Sequence, residues 1–129
     1  MSRCHRPRIL LVDDDEQVVM NLAAFLEDEG YPVSVALDGP SGIALLRTRA
    51  HDAALVDLRM PGMDGFTFMT EARNVDPTIP FLVVTGSPDH ILPEDLLTHG
   101  LGARDVIRKP IEDMHEVTRA VTQLLEAIA

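Results

Sequence analysis

Cysteine is nearly absent from this 129-residue chain, and so is lysine. There is one of the first and, among eleven basic residues, one of the second. The lone Cys4 has no partner within the chain, which excludes a disulfide framework and any multi-cysteine metal centre. No stretch approaches the roughly 18 consecutive apolar residues a membrane helix needs. The opening MSRCHRPR is not followed by the apolar core and small-residue cleavage site of a secretory signal, so a cytoplasmic protein is expected. Positive charge is scarce overall: 21 acidic residues against 11 basic ones leave a formal charge of −10. That balance argues against unspecific contact with nucleic acid or an anionic membrane, both of which need a basic surface. The five histidines, His5, His51, His90, His99 and His115, show no HExxH-like spacing, and all are read as surface residues.

What is present is a compact domain's worth of apolar sequence, 46% hydrophobic against 25% charged, suited to a single core. Five short apolar runs recur: RILLV (8–12), PVSVA (32–36), AALV (53–56), PFLVV (80–84) and RDVI (104–107). ILLV and FLVV are continuous rather than alternating, the pattern of parallel strands covered on both faces. Helical periodicity fills the gaps. Val18, Val19, Leu22, Phe25 and Leu26 lead to a C-terminal Gly30; Ser41 to Thr48 turns Ile43 and Leu46 inward; Asp64 to Asn74 carries Phe66, Met69 and Ala72 or Arg73. Ile111, Met114, Val117, Val121, Leu124 and Ile128 form an amphipathic stripe. Between Ser87 and Ala103 the density of proline and glycine leaves only Pro93 to His99 as a short helix, with proline in its first turn. The alternation of strand and helix predicts an α/β fold with a five-stranded parallel sheet and helices on both faces, joined by right-handed crossovers.

RILLVDDDEQVV sets Asp13, Asp14, Asp15 and a glutamate directly behind the first strand. Carboxylates about 4 Å apart repel by roughly 4 kcal/mol at an effective dielectric near 20, so a cation or a proton must compensate them. One of them, Asp14 or Asp15, can also cap the next helix. Ligands of an open parallel sheet bind beyond the carboxyl ends of its strands. At those ends stand Asp13 and Asp14, Asp57, Thr85 with Gly86 and Ser87, and Arg108-Lys109-Pro110. Oxygen-only ligands with no histidine or cysteine point to Mg²⁺, which keeps several waters and commonly also binds a phosphoryl group. An aspartate beside such an ion can attack phosphorus and form an acyl phosphate, with metal, lysine and hydroxyl neutralising the transferred oxygens. Asp57, alone at its strand end, is the nucleophile candidate, and Asp13 with Asp14 the cation holder. A compact ammonium in an arginine-rich chain marks Lys109 as a site residue.

ILLVDDDEQV, ALVDLRMPGMDGF, FLVVTG and GARDVIRKP, in that order, resemble the receiver domain of two-component response regulators, from Arg8 through nearly the whole chain. The resemblance implies a flavodoxin-like, doubly wound (βα)5 three-layer sandwich with strand order 2-1-3-4-5, spanning 8–129 after a disordered tail of residues 1–7. It makes Asp57 the phosphoacceptor, charged by the phosphohistidine of a sensor histidine kinase or phosphotransfer protein. Asp14 is then the direct Mg²⁺ ligand, Asp13 acts mostly through water, and Asp57 and the Arg59 backbone carbonyl complete the protein's share. Thr85 and Lys109 contact the phosphoryl oxygens, the Lys109–Pro110 bond is cis, and Arg59 and Ser87 flank the acceptor where dephosphorylation is tuned. Asp15 has no family role and reads as an acid at a helix N-terminus. The output is an unidentified effector domain or target, with a weak homodimer also compatible, and no direct contact with nucleic acid or membrane. The domain catalyses its own aspartyl phosphorylation and dephosphorylation without being an enzyme in the ordinary sense.

Two features depart from the family. Its switch pairs the threonine with an aromatic residue on the fifth strand, and that position here is Val106. The stretch from Thr85 to Lys109 is also about two residues longer than the family's, which predicts a short or displaced fourth helix and a face unlike the common dimer surface. A pseudo-receiver that keeps the fold as a protein-interaction module is one alternative. A phosphatase of the haloacid dehalogenase type is another, with Asp13 as nucleophile and Asp15 as acid/base. That second alternative lacks its DxDGT-like continuation and leaves Asp57 and RMPGMDG unused.

Overall fold

The computed structural model of the chain describes residues 6–86 and 91–126. Five parallel strands, β1 (Ile9–Val12), β2 (Val33–Ala36), β3 (Ala53–Val56), β4 (Phe81–Thr85) and β5 (Val106–Arg108), form one sheet in the order β2-β1-β3-β4-β5. The helices are α1 (Glu16–Asp28), α2 (Gly39–Thr48), α3 (Gly65–Val75), α4 (Pro93–Thr98) and α5 (Met114–Glu126). The doubly wound α/β architecture expected from the alternation is what the chain adopts.

Side-chain alternation along each strand divides the interior into two cores. Leu10, Val12, Ala54, Val56, Phe81 and Val83 face one side, where Ile43 and Leu46 of α2 and Phe68, Met69 and Ala72 of α3 cover them. Ile9, Leu11, Ala53, Leu55, Leu82 and Ile107 face the other, under Val19, Leu22 and Leu26 of α1 and Val117 and Val121 of α5. Each fully buried Leu, Ile, Val or Phe is worth about 1.5–3 kcal/mol over exposure, so α1, α2, α3 and α5 are held chiefly by their inward stripes. β2 is an edge strand and is only partly buried over its first three residues.

Local chemistry sets the element ends. Asp15, Asp38 and Asp64 cap α1, α2 and α3 by accepting the backbone N–H of Val18, Ser41 and Thr67, satisfying donors that a helix start leaves free. α1 ends in a Schellman motif at Gly30 (φ +99°), with the Tyr31 N–H on the Leu26 carbonyl and the Gly30 N–H on the Glu27 carbonyl. α4 repeats it at Gly100 (φ +77°): the Leu101 N–H meets the Leu96 carbonyl at 2.8 Å, and Leu101 is buried in the core. The positive φ is what glycine supplies in both turns.

Several expectations need correction. His51 is not a surface residue but is 5% exposed. Its Nε2 lies 2.9 Å from Ser34 Oγ and its Nδ1 3.1 Å from the Arg49 carbonyl, which satisfy both ring nitrogens inside the fold. His99 is half-buried, whereas His115 is exposed and His5 and His90 fall outside the described residues. On α3 the fully buried ring is Phe68, and Phe66 is only partly buried. The helix begins at Gly65, so 65, 68, 69 and 72 share the inward face. The fifth strand starts two residues later than RDVI suggests. Asp105 turns back to accept the Gly102 N–H at 2.9 Å, closing a single 3₁₀ turn over Ala103–Asp105. Ile111 precedes α5 rather than belonging to it. Tail residues 1–5, Cys4, Ser87 and Ile128 lie outside the described residues, and Arg6 bonds the Gly30 carbonyl through Nη1 at 3.1 Å.

Candidate functional site

Asp13, Asp57 and Lys109 each stand one step beyond the end of a strand, and a backbone bond to the neighbouring strand still holds each of them; Thr85 is the last residue of β4. The Asp13 N–H donates to the Ala36 carbonyl (3.2 Å), Asp57 to Val12 (3.0 Å) and Lys109 to Thr85 (2.8 Å). The ladder therefore runs one rung past the apolar runs and carries the polar residues with it. Because β1 lies next to β3, and β4 next to both β3 and β5, residues 44 and 52 positions apart arrive on one edge.

The geometry is tight. Lys109 Nζ is 2.6 Å from Asp13 Oδ2 and 3.3 Å from Asp57 Oδ2. The other oxygen of each aspartate accepts the amide two residues on: Asp13 Oδ1 from the Asp15 N–H at 2.9 Å, Asp57 Oδ1 from the Arg59 N–H at 3.3 Å. These are Asx-type turns, which fix a carboxylate against its own backbone. Asp13, Asp57 and Thr85 are buried, at 4, 7 and 1% exposure, whereas Asp14 is exposed. Gly65 is what allows this loop to close. A Cβ there would stand 2.7 Å from the Asp57 carbonyl oxygen and from the Leu58 Cα, while the Gly65 N–H donates to the Leu58 carbonyl at 2.9 Å. Sequence reasoning did not single out Gly65. Its signal is the second glycine of PGMDG, at the start of a helix that must approach a strand end closely.

Electrostatics follow from burial and crowding. Burial pushes the Asp57 carboxyl up from its ordinary value, and the Asp13 charge adds to this while Lys109 opposes it. Burial alone would lower the Lys109 ammonium, but the hydrogen bond it donates to Asp13 and the charges of Asp57 and Asp13 outweigh burial and raise it. Carboxylate oxygens of Asp13, Asp14 and Asp57 all lie within 4.8 Å of one another. Three carboxylates against one ammonium leave two negative charges uncompensated. A hard divalent cation matches that surplus, the oxygen-only donor set and the open side at Asp14 through which waters can enter, so the residues present fit Mg²⁺.

Asp13, Asp14, Asp57 and Lys109 are thus brought together, and Thr85 is joined to Lys109 through the backbone. The Lys109–Pro110 peptide is cis. Asp15 does not join the cluster: its carboxylate caps α1. Val106 pairs with Val83 across the sheet and packs, half-buried, against the core shared with Phe66.

The sequence profile of the family described as Response regulator receiver domain matches residues 9–122. The chain belongs to that family. Among curated relatives, the receiver is 43% identical over 115 residues to Response regulator PleD of Caulobacter vibrioides, an alignment covering 83% of this chain and 24% of that protein. It is 34% identical over 122 residues to Transcriptional regulatory protein RprY of Bacteroides fragilis, covering 94% and 50%. The receiver spans between about a quarter and a half of the length of these relatives. Among solved structures it superposes with TM-score 0.83 on a CheY-like receiver domain protein of Methanospirillum hungatei, at 28% identity, covering 95% of this chain and 96% of that one. The low-pH structure of chemotaxis protein CheY4 from Vibrio cholerae gives TM-score 0.82 at 25% identity, covering 94% and 100%. Receiver domains of this family take part in two-component signalling, with Mg²⁺ at the acidic pocket. No helix among the described residues is long and apolar enough to cross a membrane.

Proposed function

We propose that this receiver accepts a phosphoryl group on Asp57 from the phosphohistidine of a partner kinase or phosphotransfer protein, and that Mg²⁺ is required. The observation that carries the reading is the placement of Lys109 Nζ between Asp13 and Asp57, at 2.6 and 3.3 Å, with three carboxylates converging within 4.8 Å. An Asp57 oxygen attacks phosphorus in line with the departing imidazole nitrogen, and an acyl phosphate forms as the P–N bond breaks. Lys109 neutralises charge on the transferred oxygens, and the Thr85 hydroxyl donates to one of them. Asp13, Asp14, Asp57 and the Arg59 carbonyl would hold the metal. When bound, Mg²⁺ supplies positive charge beside the phosphoryl oxygens.

Within this reading Asp14 is the direct ligand and Asp13 acts through water. Asp13 is buried and takes the shorter of the two Lys109 contacts, 2.6 Å against 3.3 Å at Asp57, whereas Asp14 is exposed. Arg59 and Ser87 tune the lifetime of the acyl phosphate by steering water. A groove lined by Val18, Leu22, Pro110, Ile111 and Met114 opens beside Lys109, and its apolar walls suit the helix that presents the phosphohistidine. A cytoplasmic setting goes with the reading.

The test is incubation with Mg²⁺ and acetyl phosphate followed by intact mass measurement. A single added phosphoryl group, absent from Asp57→Asn and abolished by chelation, is the expected result. No adduct under conditions that label another receiver would overturn the reading in favour of an interaction module. Label that persists in Asp57→Asn and vanishes in Asp13→Asn would favour phosphatase chemistry at Asp13. Against that outcome stands the Asp15 carboxylate, committed to capping α1.

A further inference from the structure

The family's reporter ring on the fifth strand is missing, since Val106 occupies that position, and this raises the question of which ring stands nearest the hydroxyl at the end of β4. Phe81, Val83 and Thr85 alternate onto the face that holds α3 and α4, the face on which Val106 also packs. There Thr85 shares a surface groove with Phe66 of α3 and with Ile91 and Asp95 around the start of α4; Arg59 lines it too. Among the described residues, Phe66 is the only aromatic one lining that groove.

Phe66 is in turn fastened to the far end of α4. The His99 ring stacks on it with centroids 5.1 Å apart and planes 25° from parallel. His99 Nδ1 is 2.9 Å from the Asp95 carbonyl and Nε2 3.2 Å from Thr70 Oγ1, one turn beyond Phe66 on α3. Arg73 completes the clasp: its Nε donates to the Ile79 carbonyl at 2.8 Å, its Nη2 to the His99 carbonyl at 3.4 Å, and its guanidinium lies 4.7 Å over the Phe81 ring of β4. α4 itself buries none of its six residues. Its attachment therefore rests on this clasp, on the partly buried Ile91 and Leu96, and on the buried Leu101 that follows it. A helix so lightly held is an element that can be shifted by a small change at one contact.

Resting on the phosphorylation reading above, we propose that the Phe66–His99 stack is the switch of this receiver, taking the part that a ring on the fifth strand would otherwise play. When the Thr85 hydroxyl turns toward a phosphoryl group on Asp57, the groove side of Thr85 opens and the Phe66 ring moves into it beside the short Val106. That movement breaks the stack on His99 and releases α4 from α3. The signal leaves through α4 and not through β5.

The experiment is hydrogen exchange read by mass spectrometry on the full chain with Mg²⁺, with and without acetyl phosphate, with intact mass taken from the same samples. For wild type, peptides covering Ile91–Leu101 are expected to exchange at least fivefold faster once the adduct is present. In His99→Ala and Phe66→Leu the adduct forms to the wild-type extent, and the phosphodonor-dependent change in those peptides falls below twofold. Val75→Ala, a truncation in the same core at the far end of α3, keeps the fivefold change, which separates the clasp from general loosening. His99 is half-exposed, so its variant remains informative should Phe66→Leu fold poorly. Adduct formation with an unchanged α4 in wild type, or a full wild-type response in His99→Ala, would overturn the switch and leave the phosphorylation reading standing. Absence of the adduct from wild type would overturn both.

Discussion

At the scale of single residues, two buried titratable groups carry opposite and checkable consequences. Asp57 has its carboxyl pushed above the ordinary value of 3.8 by burial, with Asp13 adding and Lys109 opposing. The folded state then binds more protons than the unfolded chain between 3.8 and the raised value, stability falls as pH rises through that window, and the penalty persists at neutral pH. Asp57→Asn removes it. The expected result is a variant with a higher thermal midpoint than wild type at pH 7, with the gain vanishing as pH falls to 3.8 and below. Mg²⁺ should narrow the same gap by stabilising wild type, and Asp14→Asn should abolish that ion-dependent shift. His51 runs the other way. Burial lowers it from 6.5, with the Arg8 and Arg49 charges helping and the Arg49 carbonyl and Asp52 opposing. The unfolded chain takes up its proton first, so stability is full above pH 6.5 and is lost as pH falls toward the folded value. Denaturant midpoints measured from pH 7.5 to 5 should show that loss in wild type and a flatter profile in His51→Gln. Asp13, Asp57 and Lys109 were legible in the sequence because each follows an apolar run, where a parallel sheet places its ligands. His51 was not, because its partner Ser34 is 17 positions away and neither residue breaks an apolar pattern.

At the scale of elements, the loop after β3 depends on how closely α3 approaches it. Gly65→Ala places a methyl 2.7 Å from the Asp57 carbonyl oxygen and from backbone at Leu58, and backbone cannot yield as a flexible side chain would. The expected cost is about 1–3 kcal/mol in chemical denaturation, accompanied by slower labelling with acetyl phosphate because Asp57 is displaced. Gly100→Ala is a milder test. At φ +77° the substitution should cost about 1 kcal/mol and raise amide exchange in α4 without affecting Asp57. Periodicity located the helices well where they bury a stripe, as in α1 and α2. It misplaced what depends on a local polar bond. RDVI reads as four strand residues, yet Asp105 closes a turn onto Gly102 and delays the strand. GFTF offers two phenylalanines to a helix face, and only the position of the Asp64 cap decides that Phe68 is the buried one. The short α4 was visible in advance, since Pro93 and Gly100 bound it.

At the scale of the whole molecule, the sheet converts five apolar runs into one polar edge. Strand order makes β1, β3 and β4 neighbours in the middle and leaves β2 and β5 at the flanks, so the acidic pair, the acceptor, the hydroxyl and the lysine meet although they span residues 13 to 109. The crowding at DDDE is then a property of the assembled edge: Asp13 and Asp14 stand with Asp57, and Asp15 serves its own helix. The net charge of −10 makes divalent cations favourable ligands generally, so a bound ion alone would not distinguish this account. The position of the phosphoryl group does. After labelling with acetyl phosphate and Mg²⁺, borohydride reduction converts an aspartyl phosphate to homoserine, and peptide sequencing by tandem mass spectrometry locates it. Homoserine at position 57, and at no other aspartate, is the predicted result. Homoserine at 13, 14 or 15, with Asp57 intact, would contradict the account at its centre.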